Sequence, residues 1–178
     1  LRRSELLGLR WKDINLLLAT LRVSLVLHQL NDGRFVYQEP KTAKGRRSIA
    51  LSPSSCIELR QYRESQEKDA NLLGIPLTDD SLVFSHPDGS PRSPSTLTLA
   101  FRRLTRRLGF TGVRLHDLRH THATLMMEQG VNPKVVSERL GHASVVITLD
   151  TYSHVLPNMQ EDAVARFESA MAVAEGIA

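Results

Sequence analysis

The chain has 178 residues, 41% of them apolar, enough for about one domain with one real core and no need of disulfides or a structural metal. Its single cysteine, Cys56, cannot make an internal bridge, which points to a reducing, cytoplasmic setting. The net charge is +4, and no apolar run approaches the roughly 20 residues of a membrane span.

The basic side is dominated by arginine, the fork-shaped donor suited to phosphate and carboxylate. Arg34, Lys41, Lys44, Arg46 and Arg47 stand against Glu39, a local net of +4. Arg102, Arg103, Arg106, Arg107, Arg114 and Arg119 stand against Asp117, a local net of +5. The tail reverses the sign: Glu161, Asp162, Glu168 and Glu175 outweigh Arg166 by 3. Two basic blocks followed by an acidic tail suggest a polyanion-binding face with a separate element behind it.

In chain order, Leu1, Glu5, Leu6 and Leu9 recur at helical spacing without a capping residue in front. We expect this helix to start earlier, in a longer protein. Three extended stretches follow, Leu21 to Leu27, Arg34 to Gln38 and Arg47 to Leu51, the first two joined through Asp32-Gly33, a hairpin signal. They predict a three-stranded antiparallel meander whose second turn, Pro40 to Gly45, is a basic loop. Ser52-Pro53 caps a helix to about Asp69, and Ser93-Pro94 another to about Leu108. A third helix runs from about His116 to Gln129, stopped by Gly130. Asn132-Pro133 opens a fourth that ends at Gly141, Ser144 a short fifth, and Pro157 a C-terminal helix with an apolar stripe of Val164, Phe167, Met171 and Val173. The fold class is therefore α+β, mainly α, with a small three-stranded antiparallel sheet. Trp11, Ile14, Phe101, Leu104 and Leu108 are expected to pack in the core.

Chemistry-bearing residues concentrate in the third helix and after it. His116 and Arg119 are three apart, so both point to one side of the helix start, with Leu115 and Leu118 left to face the core. The helix dipole there favours a neutral histidine, able to act as base or donor, beside a bidentate anion grip. His142 follows the helix-ending Gly141 on an irregular turn, and Tyr152 lies near the end of the short helix after it. Taken singly, each has a plain structural reading as a packed or solvated side chain.

The order of these pieces is informative. His-x-x-Arg, Leu140-Gly141-His142 and Thr151-Tyr152, preceded by Leu1-Arg2-Arg3-Ser4-Glu5-Leu6 and by Pro40-Lys41-Thr42, resemble the C-terminal catalytic domain of tyrosine recombinases of the phage integrase family. The resemblance covers Leu1 to about Leu156. It implies the helical DNA breaking-rejoining fold over 1–156 and a helical tail over 157–178, which would dock on a neighbouring protomer or fold back on its own core. Arg2 would be the first active-site arginine and Glu5 the acid that orients it. Lys41, a better match than Lys44, would protonate the leaving 5′ oxygen. His116 and Arg119 would be the histidine and second arginine, His142 a further donor and Tyr152 the nucleophile. Arg46, Arg47, Arg102, Arg103, Arg106 and Arg107 would face the DNA backbone.

The resemblance implies site-specific recombination of a mobile element through a 3′-phosphotyrosine, with no ATP, metal or other cofactor. Its partners would be a double-stranded recombination site, a homo-tetramer formed on that DNA from monomers, and accessory DNA-bending or excision factors; its setting, a bacterial cytoplasm. Three other readings stand beside it: a type IB topoisomerase-like nicking-closing enzyme, a DNA-binding module without catalysis, and a metal site. The last would use His116, His120, His122, His142 and His154, but no acidic ligand has a matching spacing and Arg119 sits inside the cluster, where it would repel a dication.

Overall fold

The computed structural model describes residues 1–152 and 159–174. Helix α1 (Arg3–Leu7) leads through a 3₁₀ turn at Trp11–Asp13 into β1 (Ile14–Asn15), β2 (Thr20–Val23), β3 (Val26–Gln29), β4 (Phe35–Gln38) and β5 (Arg47–Ala50). Helices α2 (Pro53–Leu72), α3 (Pro94–Arg107), α4 (Asp117–Glu128), α5 (Pro133–Leu140), α6 (Val145–Tyr152) and α7 (Met159–Ala174) follow. Mainly helical with small antiparallel sheets, the molecule has the expected fold class, but its strands pair differently from a meander.

The stretch Leu21–Leu27 divides at Ser24 and Leu25. Its first half, β2, pairs with β1 and β5 in a three-stranded sheet, Leu21 opposite Ile49 and Val23 opposite Arg47. Its second half, β3, makes a separate hairpin with β4, Leu27 opposite Tyr37. Burial explains the break. Leu21 and Val23 enter a cluster around Trp11 with Leu9, Ile49 and Val83, whereas Leu27 is buried in the layer where β3 packs on α1. One continuous strand cannot feed both layers, and Ser24 Oγ, donating to Asp13 Oδ1 at 2.6 Å, holds the bend.

Helix α2 is anchored on the Trp11 cluster. Trp11 Nε1 donates to Gln66 Oε1 at 2.8 Å, and Arg63 lies over the indole at 5.3 Å. A second cluster holds Ala123, Met127, Val136, Leu140 and Tyr152 from α4, α5 and α6. The described residues thus form two apolar clusters where composition suggested one core.

Two packing expectations are corrected. Leu118 is exposed and its neighbour Arg119 is buried. On α3 and its C-terminal cap, Leu104 and Leu108 are exposed, Phe101 is half-buried and Thr105 is the buried residue. On α7, Val164, Phe167 and Met171 are exposed. Pro157 and His154 lie outside the described residues.

Candidate active site

The turn that ends α5 organises the site. Gly141 takes the left-handed conformation, φ +69°; its N–H donates to Glu138 O, and the His142 N–H to Ser137 O, both at 3.0 Å. That pair of bonds is a Schellman closure, which stops the helix and turns His142 outward. A helix C-terminus leaves carbonyls without partners and carries a partial negative charge. Here three consecutive carbonyls each hold one arginine. Arg139 O accepts from Arg47 Nε at 2.8 Å, Leu140 O from Arg119 Nη2, and Gly141 O from Arg2 Nη2 at 3.2 Å. Two residues further on, Ala143 O accepts from Lys44 Nζ at 2.7 Å.

Glu5 completes the arrangement from α1. It is 2% exposed, accepts from Arg47 Nη1 and Nη2 at 3.1 and 2.9 Å, and from Arg2 Nη1 and the Arg2 backbone N–H at 2.9 and 2.7 Å. Burial alone would raise its carboxyl, but these hydrogen bonds and the Arg47 charge hold it at about 2. Two of the three guanidiniums, Arg2 and Arg47, thus pair with one carboxylate and Arg119 with none, which leaves the pocket cationic.

Arg119 is the buried member facing into it. It is 7% exposed, Nη1 has no partner among the described residues, and burial together with the Arg2 and Arg47 charges pushes its guanidinium down to about 10. An unpaired buried donor on a charged group is costly unless a ligand completes it. The complement is an anion with oxygens on its rim, such as a phosphodiester.

His142 Nδ1 lies 2.8 Å from Thr148 Oγ1. Burial and the Arg119 and Arg2 charges hold its imidazole at about 4, so it is neutral near pH 7. Burial, with the His120 and Arg119 charges, also lowers His116. Tyr152 is 3% exposed, its ring part of the second cluster; burial raises its phenol and the Arg119 charge acts against that rise. A groove of about 1000 Å³ opens beside these groups, lined by Arg2, Arg3, Arg114, His116, Arg119 and His122.

The sequence-derived residues divide accordingly. Arg2, Glu5, Arg119 and His142 gather at the α5 terminus, with His116 on the adjoining groove and Tyr152 packed behind them. Lys41 is exposed on the β4–β5 loop and makes no hydrogen bond or ion pair among the described residues. Arg46 is exposed and pairs with Glu39 at 2.8 Å, and Arg102, Arg103, Arg106 and Arg107 are exposed on α3. Arg47 departs from expectation: its side chain is 7% exposed and its donors are taken by Glu5, Arg139 O and Gly45 O, so it is a buried clamp rather than a DNA-facing residue. Sequence reasoning weighed His120 only as a metal ligand, yet its Nδ1 lies 2.8 Å from Tyr152 Oη. The available signal was its spacing of four from His116 on one helix face. Among the described residues no group of three His, Cys, Asp or Glu side chains is placed to hold a metal ion, and no helix is long and apolar enough to cross a membrane.

This fold is that of the tyrosine recombinases. The pattern of the phage integrase family matches residues 1–159, and the chain belongs to that family. It is 35% identical over 162 residues to the ICEBs1 integrase of Bacillus subtilis, covering 91% of this chain and 44% of that protein. To a XerC-like tyrosine recombinase of Caldanaerobacter subterraneus it is 32% identical over 175 residues, 92% of this chain and 45% of that one. The chain thus spans less than half the length of these curated relatives. Among solved structures, the Tn1549 transposon integrase in complex with a circular intermediate DNA superposes with a TM-score of 0.78 at 25% identity, over 94% of this chain and 54% of that one.

Proposed function

We propose that this chain cuts and rejoins one strand of a duplex at a time, at a specific site, through a 3′-phosphotyrosine on Tyr152, and so serves the integration and excision of a mobile element. The observation that carries this is the buried Nη1 of Arg119, without a partner among the described residues, in a pocket where Arg2 and Arg47 share one carboxylate. A phosphodiester repels an incoming phenolate, and its transition state spreads further negative charge over the oxygens. Arg2 and Arg119 grip the non-bridging oxygens, His142 adds a donor, and His116 exchanges a proton with the reacting phosphate. Lys41 protonates the departing 5′ oxygen once DNA orders its loop. The phosphotyrosine keeps the ester energy, so a second 5′ hydroxyl reverses the step without ATP. Arg46 and the α3 arginines neutralise backbone phosphates away from the cut.

In the same reading four copies assemble on a double-stranded recombination site, aided by DNA-bending or excision factors, with α7 and its exposed Val164, Phe167 and Met171 docking on a neighbouring protomer. Tyr152 is tested by incubating the chain with a pool of nicked suicide duplexes of randomised sequence and isolating covalent protein–DNA adducts. Wild type forms adducts that chelators do not suppress, and Tyr152→Phe forms none. Adducts persisting in the Phe variant refute the nucleophile assignment. Deleting the residues beyond Pro157 should weaken assembly on DNA more than cleavage.

A further inference from the structure

We propose that His120, rather than the His116 of the His-x-x-Arg pair, takes the phenolic proton from Tyr152 as its oxygen attacks phosphorus. This rests on the phosphotyrosine reading and assigns its first proton transfer. His120 Nδ1 lies 2.8 Å from Tyr152 Oη, with ring centroids 6.0 Å apart. His116 stands one turn earlier on the same face and packs edge-on against His120 at 5.0 Å, inclined by 78°. Among the described residues His116 makes no hydrogen bond to Tyr152.

The contact matters because the phenol is hard to ionise where it sits. Tyr152 is 3% exposed and packed against Ala123, Met127, Val136 and Leu140, so water has little access to take its proton. Burial raises the phenol further, and the Arg119 charge works in the other sense. A base already in hydrogen-bond contact removes the need for free phenolate. His120 is itself exposed, so solvent is at hand to hydrate the imidazolium formed when it takes the proton.

The step balances. The Tyr152 O–H bond breaks, its proton passing to His120 Nδ1 while Nε2 keeps the tautomeric hydrogen. The phenolic oxygen forms the new bond to phosphorus, the bond from phosphorus to the 5′ oxygen breaks, and that oxygen leaves with a proton from Lys41. On rejoining, the His120 imidazolium returns its proton to the departing phenolate.

The test uses the same chain under single-turnover conditions, on a duplex recovered from the randomised pool. His120→Gln keeps a side-chain acceptor for the phenol but supplies no base, and His120→Ala removes both. Both should form adduct about 10²- to 10⁴-fold more slowly than wild type, and added imidazole should restore part of the rate to His120→Ala. A bridging 5′-sulfur substrate, whose leaving group needs no proton, should rescue Lys41→Ala and leave both His120 variants slow. Wild-type rates in His120→Gln, or sulfur rescue of His120→Ala, overturn the assignment while the phosphotyrosine reading stands. Absence of any wild-type adduct overturns both.

Discussion

The turn that closes α5 and the loop joining β4 to β5 meet at Lys44 and Ala143, and they are built in opposite ways. The turn is over-determined. A left-handed glycine, a Schellman closure and three arginines on consecutive carbonyls fix it, and a buried carboxylate ties two of those arginines to α1. The loop has one 3₁₀ turn, capped by Thr42 Oγ1 accepting from Gly45 N–H at 3.1 Å, the Lys44 tether, the exposed Arg46–Glu39 pair and a bond from Arg47 to Gly45 O. Lys41 takes part in none of these restraints. In the proposed mechanism the groups that bind charge in a set geometry are those on the rigid side, where preorganisation costs nothing at the moment of reaction. The lysine proposed to meet the leaving oxygen late in the reaction is on the loose side.

Arg47→Ala breaks the rigid side most severely. It leaves the Glu5 carboxylate, 2% exposed, without its bidentate partner and with Arg2 as its remaining counter-charge, and removing one partner of a buried ion pair costs up to about 3–5 kcal/mol. Urea unfolding should show that loss, and adding Glu5→Gln should recover part of it by removing the stranded charge. A loss under about 1 kcal/mol would mean that Arg47 is no clamp.

Acid should undo the same pairing without mutation. The Glu5 carboxyl is held at about 2 against an ordinary value of 4.5. Because the folded value is the lower one, its contribution is complete above about pH 4.5 and is lost as pH falls toward about 2. The full contribution is on the order of 3 kcal/mol. Glu5→Gln should flatten the stability profile across that window; an unchanged acid limb would place the sensitive carboxylates elsewhere.

A smaller effect separates turn strain from close packing. At Gly141 a Cβ would lie 2.7 Å from Arg47 Nη1 and 3.0 Å from Lys44 O, in addition to the positive φ. At Gly112, φ +77°, a Cβ would meet nothing within 4 Å. Gly112→Ala should cost the left-handed penalty alone, about 1–2 kcal/mol, and Gly141→Ala more, with a slower adduct-forming step because Arg47 must move. Equal losses at the two positions would show that the turn is held by backbone conformation and not by its arginines.

How much of this the sequence disclosed follows the same division. The ends of α5 were legible because Asn132, Pro133 and Gly141 act locally, and the order of His116, Arg119, His142 and Tyr152 pointed to one site through resemblance. The clamp was illegible. Its acceptors are backbone carbonyls of residues 139 to 141, which leave no mark in side-chain chemistry, so Arg47 read as one more cation in a basic loop. The split of Leu21–Leu27 was hidden for a related reason: alternation shows that a side chain is buried, but not which layer buries it. The contact of His120 with Tyr152 escaped notice because the two lie 32 residues apart.

Lys41→Ala probes the loose side, and its expected signature is a dissociation of two measurements. With no hydrogen bond or ion pair among the described residues, its removal should leave urea stability within about 0.5 kcal/mol of wild type. Adduct formation should nonetheless slow, because the 5′ oxygen must then leave as an alkoxide, and the bridging-sulfur substrate should restore the rate. Lys44→Ala is the matched control on the same loop. It releases the tether to Ala143 O, so it should slow cleavage of oxygen and sulfur substrates alike, through misplacement of the turn bearing His142. If Lys44→Ala is instead the variant rescued by sulfur, the proton donor is Lys44, and the tether seen without DNA must open on binding.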